Sequence, residues 1–134
     1  MPYDQALEQA ANRHFEAADK LFNDSNRFDV AGYLFGLAAE CALKEAMIQS
    51  GMRPQEVGER KNDPFFAHFQ VLKTMLMDTA SGRLRGEIRK IAENNSFMQN
   101  WDISMRYSDG KSIKRKWVED WRQDALKSIN LMVS

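Results

Sequence analysis

Apolar positions recur along this chain at helical steps. Tyr3, Leu7, Ala10, Ala11, His14, Ala17, Ala18 and Leu21 follow one another mostly three or four residues apart, which places them on one face of a first helix. Asn23-Asp24-Ser25-Asn26 reads as a turn and offers caps for a second helix over Arg27–Gln49. The middle of that helix, Ala31 to Ala39, is apolar all round, the mark of a helix at the centre of a bundle. Gly32 and Gly36 lower its helix propensity by about 1 kcal/mol each, and their return is close approach of a neighbouring helix. Gly51 then closes the helix as a C-cap.

Residues 52–62 form a polar connection. Asp63-Pro64 is the clearest helix start, because Asp caps and Pro suits the first helical position. Phe65, Phe66, Phe69, Leu72 and Leu76 supply the apolar face of a third helix that stops at Ser81-Gly82. A fourth helix runs through Leu84, Ile88 and Ile91, reaching towards Met98. Residues 101–112 read as an ordered loop. Ile113, Trp117, Trp121, Ala125 and Ile129 then recur at strict four-residue spacing on a last helix. No β-alternation of useful length and no internal repeat interrupt this. The pattern predicts an all-α, up-and-down bundle of about five helices in one domain over 1–134, with the second helix central. Phe35, Leu34, Ala38, Cys41 and Ala42 belong among its most buried residues, with Trp117 and Trp121 packed on them or on an oligomer seam.

Composition narrows the function classes. The chain has 134 residues with 19 basic and 19 acidic side chains, so no broad cationic coat for nucleic acid exists. The balance hides an asymmetry: residues 1–50 hold eight acids and four bases, and the remainder holds eleven acids and fifteen bases. Either the two halves pack on each other, or the basic half faces an anionic ligand. One cysteine, Cys41, excludes an internal disulfide and a Cys-based zinc site, and two histidines make a poor metal cage. No cofactor is called for. The amino terminus lacks the basic and apolar regions of a secretory signal. Val30–Leu43, broken only by Glu40, falls short of the roughly 20 residues that cross a bilayer. A cytoplasmic, membrane-free protein is expected.

Some side chains stand out against this background. His14 shares the apolar face of the first helix, as a paired core residue or as a base at a bundle seam. His68 falls in the first turn after Asp63-Pro64, packing there or acting as an acid–base group. Glu40 interrupts the most apolar run, where an isolated carboxylate is expensive. It either pairs with Lys44 one turn later at the bundle edge, or faces inward and anchors a distant arginine, with Arg106 as the expected partner. Trp101, Arg106, Tyr107 and Asp109 concentrate in one loop. Arg106 suits a phosphate, and Tyr107 or Trp101 suits a stacked base, unless the aromatics simply plug the bundle end. Two basic clusters flank the loop: Arg83, Arg85, Arg89 and Lys90, then Lys111, Lys114, Arg115 and Lys116. Both lie near expected helix N-termini, where an anion would relieve their repulsion. There is no phosphate-binding glycine loop and no His-Glu-x-x-His zinc motif.

The stretch Ala31-Gly-Tyr-Leu-Phe-Gly-Leu-Ala-Ala-Glu40-Cys41-Ala42-Leu43-Lys44 resembles the central helix of HEPN domains, the "higher eukaryotes and prokaryotes nucleotide-binding" family. The helix from Ala11 to Leu21, the Phe28-Asp29 start, His68-Phe-Gln-Val-Leu72 and the segment from Trp101 to Arg106-Tyr107 are similar to the family as well. The resemblance covers nearly the whole chain and rests chiefly on the central helix. It implies a helical bundle, commonly dimeric or held with a partner protein, tied to RNA or nucleotides and to toxin–antitoxin or defence systems. Ribonuclease members carry an Arg, four to six residues, then a His. Here seven residues separate Arg60 from His68, and no His comes after Arg106. The resemblance therefore implies a binding module in which Arg106 takes phosphate, Tyr107 and Asp109 neighbour it, Lys111, Lys114 and Arg115 assist, and Glu40 with Lys44 supports. Two alternatives stand beside it. One is a metal-independent ribonuclease using His14 or His68. The other is an oligomeric protein-interaction module without a nucleic-acid ligand.

Overall fold

The computed structural model describes residues 2–55 and 61–134. Arg60 and its neighbours from 56 on lie outside the described residues. Five α-helices occur among the described residues: α1 (Leu7–Asp24), α2 (Phe28–Gln49), α3 (Val71–Thr79), α4 (Arg85–Glu93) and α5 (Arg115–Met132). Short 3-10 turns at Pro64–Phe66 and Ile103–Tyr107 complete them, and no strand is present among the described residues.

Helix α2 is central, with α1 and α5 packed along it and α3 and α4 paired beside them. Its all-round apolar character is the cause: Ala31, Phe35, Ala38, Ala39, Ala42, Leu43, Ala46 and Met47 are all fully buried. Leu34 and Cys41 are only half-buried, because neighbours on two sides leave part of the cylinder open. Trp121 is buried and Trp117 half-buried on α5. The glycine pair is used in two ways. Gly32 lets α5 approach, since an added Cβ would lie 2.7 Å from the Trp121 ring. Gly36 makes room for the Trp101 indole, which comes from a loop rather than a helix. Gly51, at φ +103°, ends α2 as expected. Its N–H reaches the Ile48 carbonyl at 3.0 Å and that of Met52 reaches Met47 at 3.0 Å, the paired bonds of a Schellman cap.

The expected α1 stripe is too generous at its start. Tyr3 lies outside the helix, 83% exposed, and Ala17 faces solvent. At the α1–α2 turn, Ser25 accepts the Arg27 N–H at 3.1 Å, while Arg27 itself opens α2 with no side-chain cap. The single third helix expected from Asp63 is divided. Asp63 does cap, accepting from Phe65 N–H at 3.0 Å, but it caps a single 3-10 turn, and α3 begins only at Val71. Helix α4 ends at Glu93, and Met98 adopts φ +54° in the connection beyond it. Ile113 precedes α5, which starts at Arg115.

Candidate functional site

The break before α3 has a specific cause. Glu40, 3% exposed on α2, accepts the Phe69 N–H at Oε1 and contacts His68 Nδ1 at Oε2, both at 2.9 Å. A backbone donor that bonds a side chain of another helix cannot also close a helical turn. The expected Glu40–Arg106 pair is therefore replaced by Glu40–His68. The carboxylate does anchor a distant loop, but the loop carries a histidine. Lys44 makes no ion pair with Glu40; burial lowers its pKa and the Glu40 charge opposes that shift. His68 sits in the connection before α3, not in the first turn of a helix, and its side chain is 44% exposed. It lines a largely apolar cavity of about 370 Å³ together with Phe66, Val71, Met75, Ile103, Lys61 and Asp102.

A second cleft lies on the far side of the Ile103–Tyr107 turn. Asp102 fixes the start of that turn, accepting from Ser104 N–H at 2.8 Å and from its hydroxyl at 2.5 Å. These two bonds hold the Asp102 carboxyl below its ordinary pKa. The turn then presents Arg106 and Tyr107 to solvent. The guanidinium stacks 4.8 Å above the Tyr107 ring, and the neighbouring Tyr33 hydroxyl of α2 raises its already high pKa. Tyr107 is 80% exposed. Arg27, Tyr33, Met105, Arg106 and Ile113 line the cleft, whose volume is about 200 Å³. Arg27 is partly spent, pairing with Asp29 at 2.7 Å. Arg106 pairs with no carboxylate among the described residues.

The other expected site residues are distributed unevenly. Trp101 is not available for stacking on a ligand: it is 1% exposed, its indole N–H donates to the Gly32 carbonyl at 3.1 Å, and it packs face to face with Tyr33 at 6.2 Å. Its size and its hydrogen-bonding N–H suit the gap left by Gly36. Asp109 shapes the loop by accepting the Lys111 N–H at 3.0 Å. Lys114 lies 5.2 Å over Trp117, and Arg115 lies 4.4 Å over Phe22 near the end of α1. Lys116 pairs with Asp120 on its own helix at 3.0 Å. Lys111, Lys114 and Arg115 thus join Arg106 at the end of the bundle where α2 starts. The other basic cluster does not. Arg83 bonds through its N–H to the Ser50 carbonyl at 3.1 Å, so that cluster begins at the opposite end of α2.

His14 is half-buried on α1, away from both clefts, and burial and the adjacent Arg13 lower its pKa. The acidic and basic halves do meet: Arg122 Nε of α5 lies 2.7 Å from Asp19 of α1. Sequence reasoning missed Tyr33 and Arg27 as neighbours of Arg106, and it missed that Glu40 and His68 belong together. The second pairing had a signal, since a buried carboxylate demands a hydrogen-bonding partner and His68 was one of few polar groups in an apolar segment. Tyr33 had none: within an apolar run its hydroxyl looks like any core tyrosine. Among the described residues, no helix is long and apolar enough to cross a membrane. No family model, no curated protein and no solved structure matches this chain.

Proposed function

We propose that this chain is a HEPN-like module that binds RNA or a nucleotide at the end of the bundle where α2 and α5 begin. The observation that carries this reading is Arg106: a solvent-facing guanidinium, beside Tyr33 in one cleft and laid over Tyr107, with no carboxylate partner among the described residues. Such a fork suits phosphate oxygens, and the exposed phenol beside it suits a base face. Lys111, Lys114 and Arg115 add positive charge around it. Glu40 and Trp101 take no direct part; they hold the loops beneath. The resemblance adds a cytoplasmic setting, a homodimer or partner protein, and a toxin–antitoxin or defence-type system to the same proposal. No imidazole lines the Arg106 cleft, so this face is expected to bind RNA without cleaving it, because general acid–base catalysis needs a titratable group at the scissile phosphate.

Fluorescence anisotropy with labelled single-stranded RNA, structured RNA and free nucleotides, across salt, tests the proposal. Binding is expected to weaken as salt rises, and Arg106→Ala is expected to lower affinity about tenfold with an unchanged helical spectrum, as for one lost charge-assisted contact. Absence of binding to every probe at low salt, or binding indifferent to Arg106→Ala, would overturn it and favour the protein-interaction alternative.

A further inference from the structure

The cavity on the other side of the 103–107 turn carries a different chemistry. Glu40 is almost fully buried, and its two oxygens are committed to His68 Nδ1 and to the Phe69 N–H, each at 2.9 Å. A carboxylate can only accept, so Nδ1 of His68 carries a proton, and in the neutral ring Nε2 then keeps the lone pair. The carboxylate thereby fixes both the tautomer and the plane of the ring. The ring is 44% exposed and forms part of the cavity wall. A buried carboxylate behind a half-exposed imidazole is the arrangement that makes histidine a directed base.

The remaining walls say what such a base would act on. Phe66, Val71, Met75 and Ile103 make the cavity apolar, and its volume of about 370 Å³ suits a small molecule. Lys61, Asp63 and Asp102 also line it, so it holds no excess positive charge for a phosphate. Val71, the first residue of α3, lies in the wall, and α3 has no side-chain cap. Its backbone N–H has no side-chain acceptor, as is common at the start of a helix.

We propose that His68, positioned by Glu40, is the base of a hydrolytic site for a small neutral carboxylic ester with an apolar acyl group. Nε2 removes a proton from a water molecule as the water oxygen bonds to the ester carbonyl carbon. The carbonyl π pair moves onto oxygen. When the carbonyl re-forms, the ester C–O bond breaks and Nε2–H returns its proton to the departing alkoxide. The products are one carboxylic acid and one alcohol, and His68 is regenerated. Glu40 touches no substrate atom; it is a positioning residue that steadies the imidazolium between the two proton transfers.

The probes are 4-nitrophenyl acetate and 4-nitrophenyl butyrate, with the full chain at mildly alkaline pH and equimolar free imidazole as reference. The chain is expected to exceed free imidazole by about a hundredfold, the lower end of general acid–base contributions, with a smaller KM for butyrate than for acetate. His68→Gln should remove the excess through kcat and leave KM in place. Glu40→Gln keeps an oxygen for the Phe69 N–H but can turn an amide N–H towards Nδ1, so kcat should fall at least tenfold. Nitrogen-15 NMR of the imidazole should show the Nδ1–H tautomer in the native chain and its loss in Glu40→Gln. A rate no greater than free imidazole, a rate that survives His68→Gln, or an Nε2–H tautomer in the native chain would each overturn the proposal. If Glu40→Gln does not fold, the His68→Gln rate and the native tautomer decide. The outcome does not depend on RNA binding at Arg106.

Discussion

Gly36 has no side chain because the Trp101 indole occupies the space where one would be. A methyl group there would overlap the ring atoms, whose N–H is at the same time tied to the Gly32 carbonyl one turn away. Gly36→Ala is therefore expected to destabilise the fold by about 1–3 kcal/mol, the usual cost of overpacking, measured by urea unfolding. Gly32→Ala meets Trp121 and Val118 at 2.7–3.0 Å and should cost less, because these contacts are ring edge and methyl rather than a direct overlap. The glycine spacing was legible in the sequence, but the identity of the intruding group was not, because Trp101 is 65 positions from Gly36. Asp124 is a second residue with a defined consequence. Burial raises its carboxyl pKa, and the Met98 N–H that it accepts at 2.8 Å offsets only part of this. Between the ordinary value and the raised one, the folded chain binds more protons than the unfolded chain, so stability from this group falls as pH rises through that window. Asp124→Asn keeps an acceptor for Met98 and should remove this fall. Asp124→Ala leaves a buried N–H without a partner and should cost about 1–3 kcal/mol. Unfolding midpoints from acid to neutral pH separate the two.

At the scale of elements, α2 and α5 were readable because their apolar positions are numerous and their packing comes from period alone. The segment 63–79 was not. Its period suits one helix, yet the Glu40 carboxylate takes the Phe69 N–H and divides it. Local pattern cannot report a hydrogen bond from another helix. The connection after α4 was equally hidden. Lys73 of α3, 6% exposed, donates to the carbonyls of Asn94 at 2.6 Å and Phe97 at 2.8 Å, and Gln70 donates to those of Met98 at 2.5 Å and Trp101 at 3.0 Å. Carbonyls of the connection beyond α4 are thus taken up by Lys73 of α3 and by Gln70 just before it, where a continued helix would have used its own backbone. Burial lowers the Lys73 pKa, with the Asp124 charge opposing. Lys73→Met keeps the apolar stem and removes both bonds. It should destabilise by about 2 kcal/mol, in the range for orphaned buried acceptors, and should speed amide exchange across 94–101 before it affects α1. Uniform exchange throughout the chain would show that this connection has no stability of its own.

Across the whole molecule, charge is placed at the two ends of α2. Arg106, Lys111, Lys114 and Arg115 gather where α2 begins, while Arg83, Arg85, Arg89 and Lys90 come after the contact with the Ser50 carbonyl where it stops. The helix has 22 residues, which at about 1.5 Å per residue is about 33 Å. That is several times the Debye length of about 8 Å at physiological salt, so Arg83 at the Ser50 end and Arg106 at the other act as separate fields. The sequence showed two clusters flanking a loop; that of Arg83 begins just after Gly82, where φ is +85° and the Ser50 carbonyl leaves no room for a side chain. If RNA binds only at the Arg106 end, the salt dependence should come from that end alone. Replacing Arg106, Lys111 and Lys114 together by Gln should reduce the slope of log affinity against log salt by about 2, since each phosphate contact on a single strand contributes about 0.7. Replacing Arg83, Arg85, Arg89 and Lys90 by Gln should leave the slope unchanged. Equal losses from both sets would mean that a bound strand runs the length of α2, and the one-ended site would have to be abandoned.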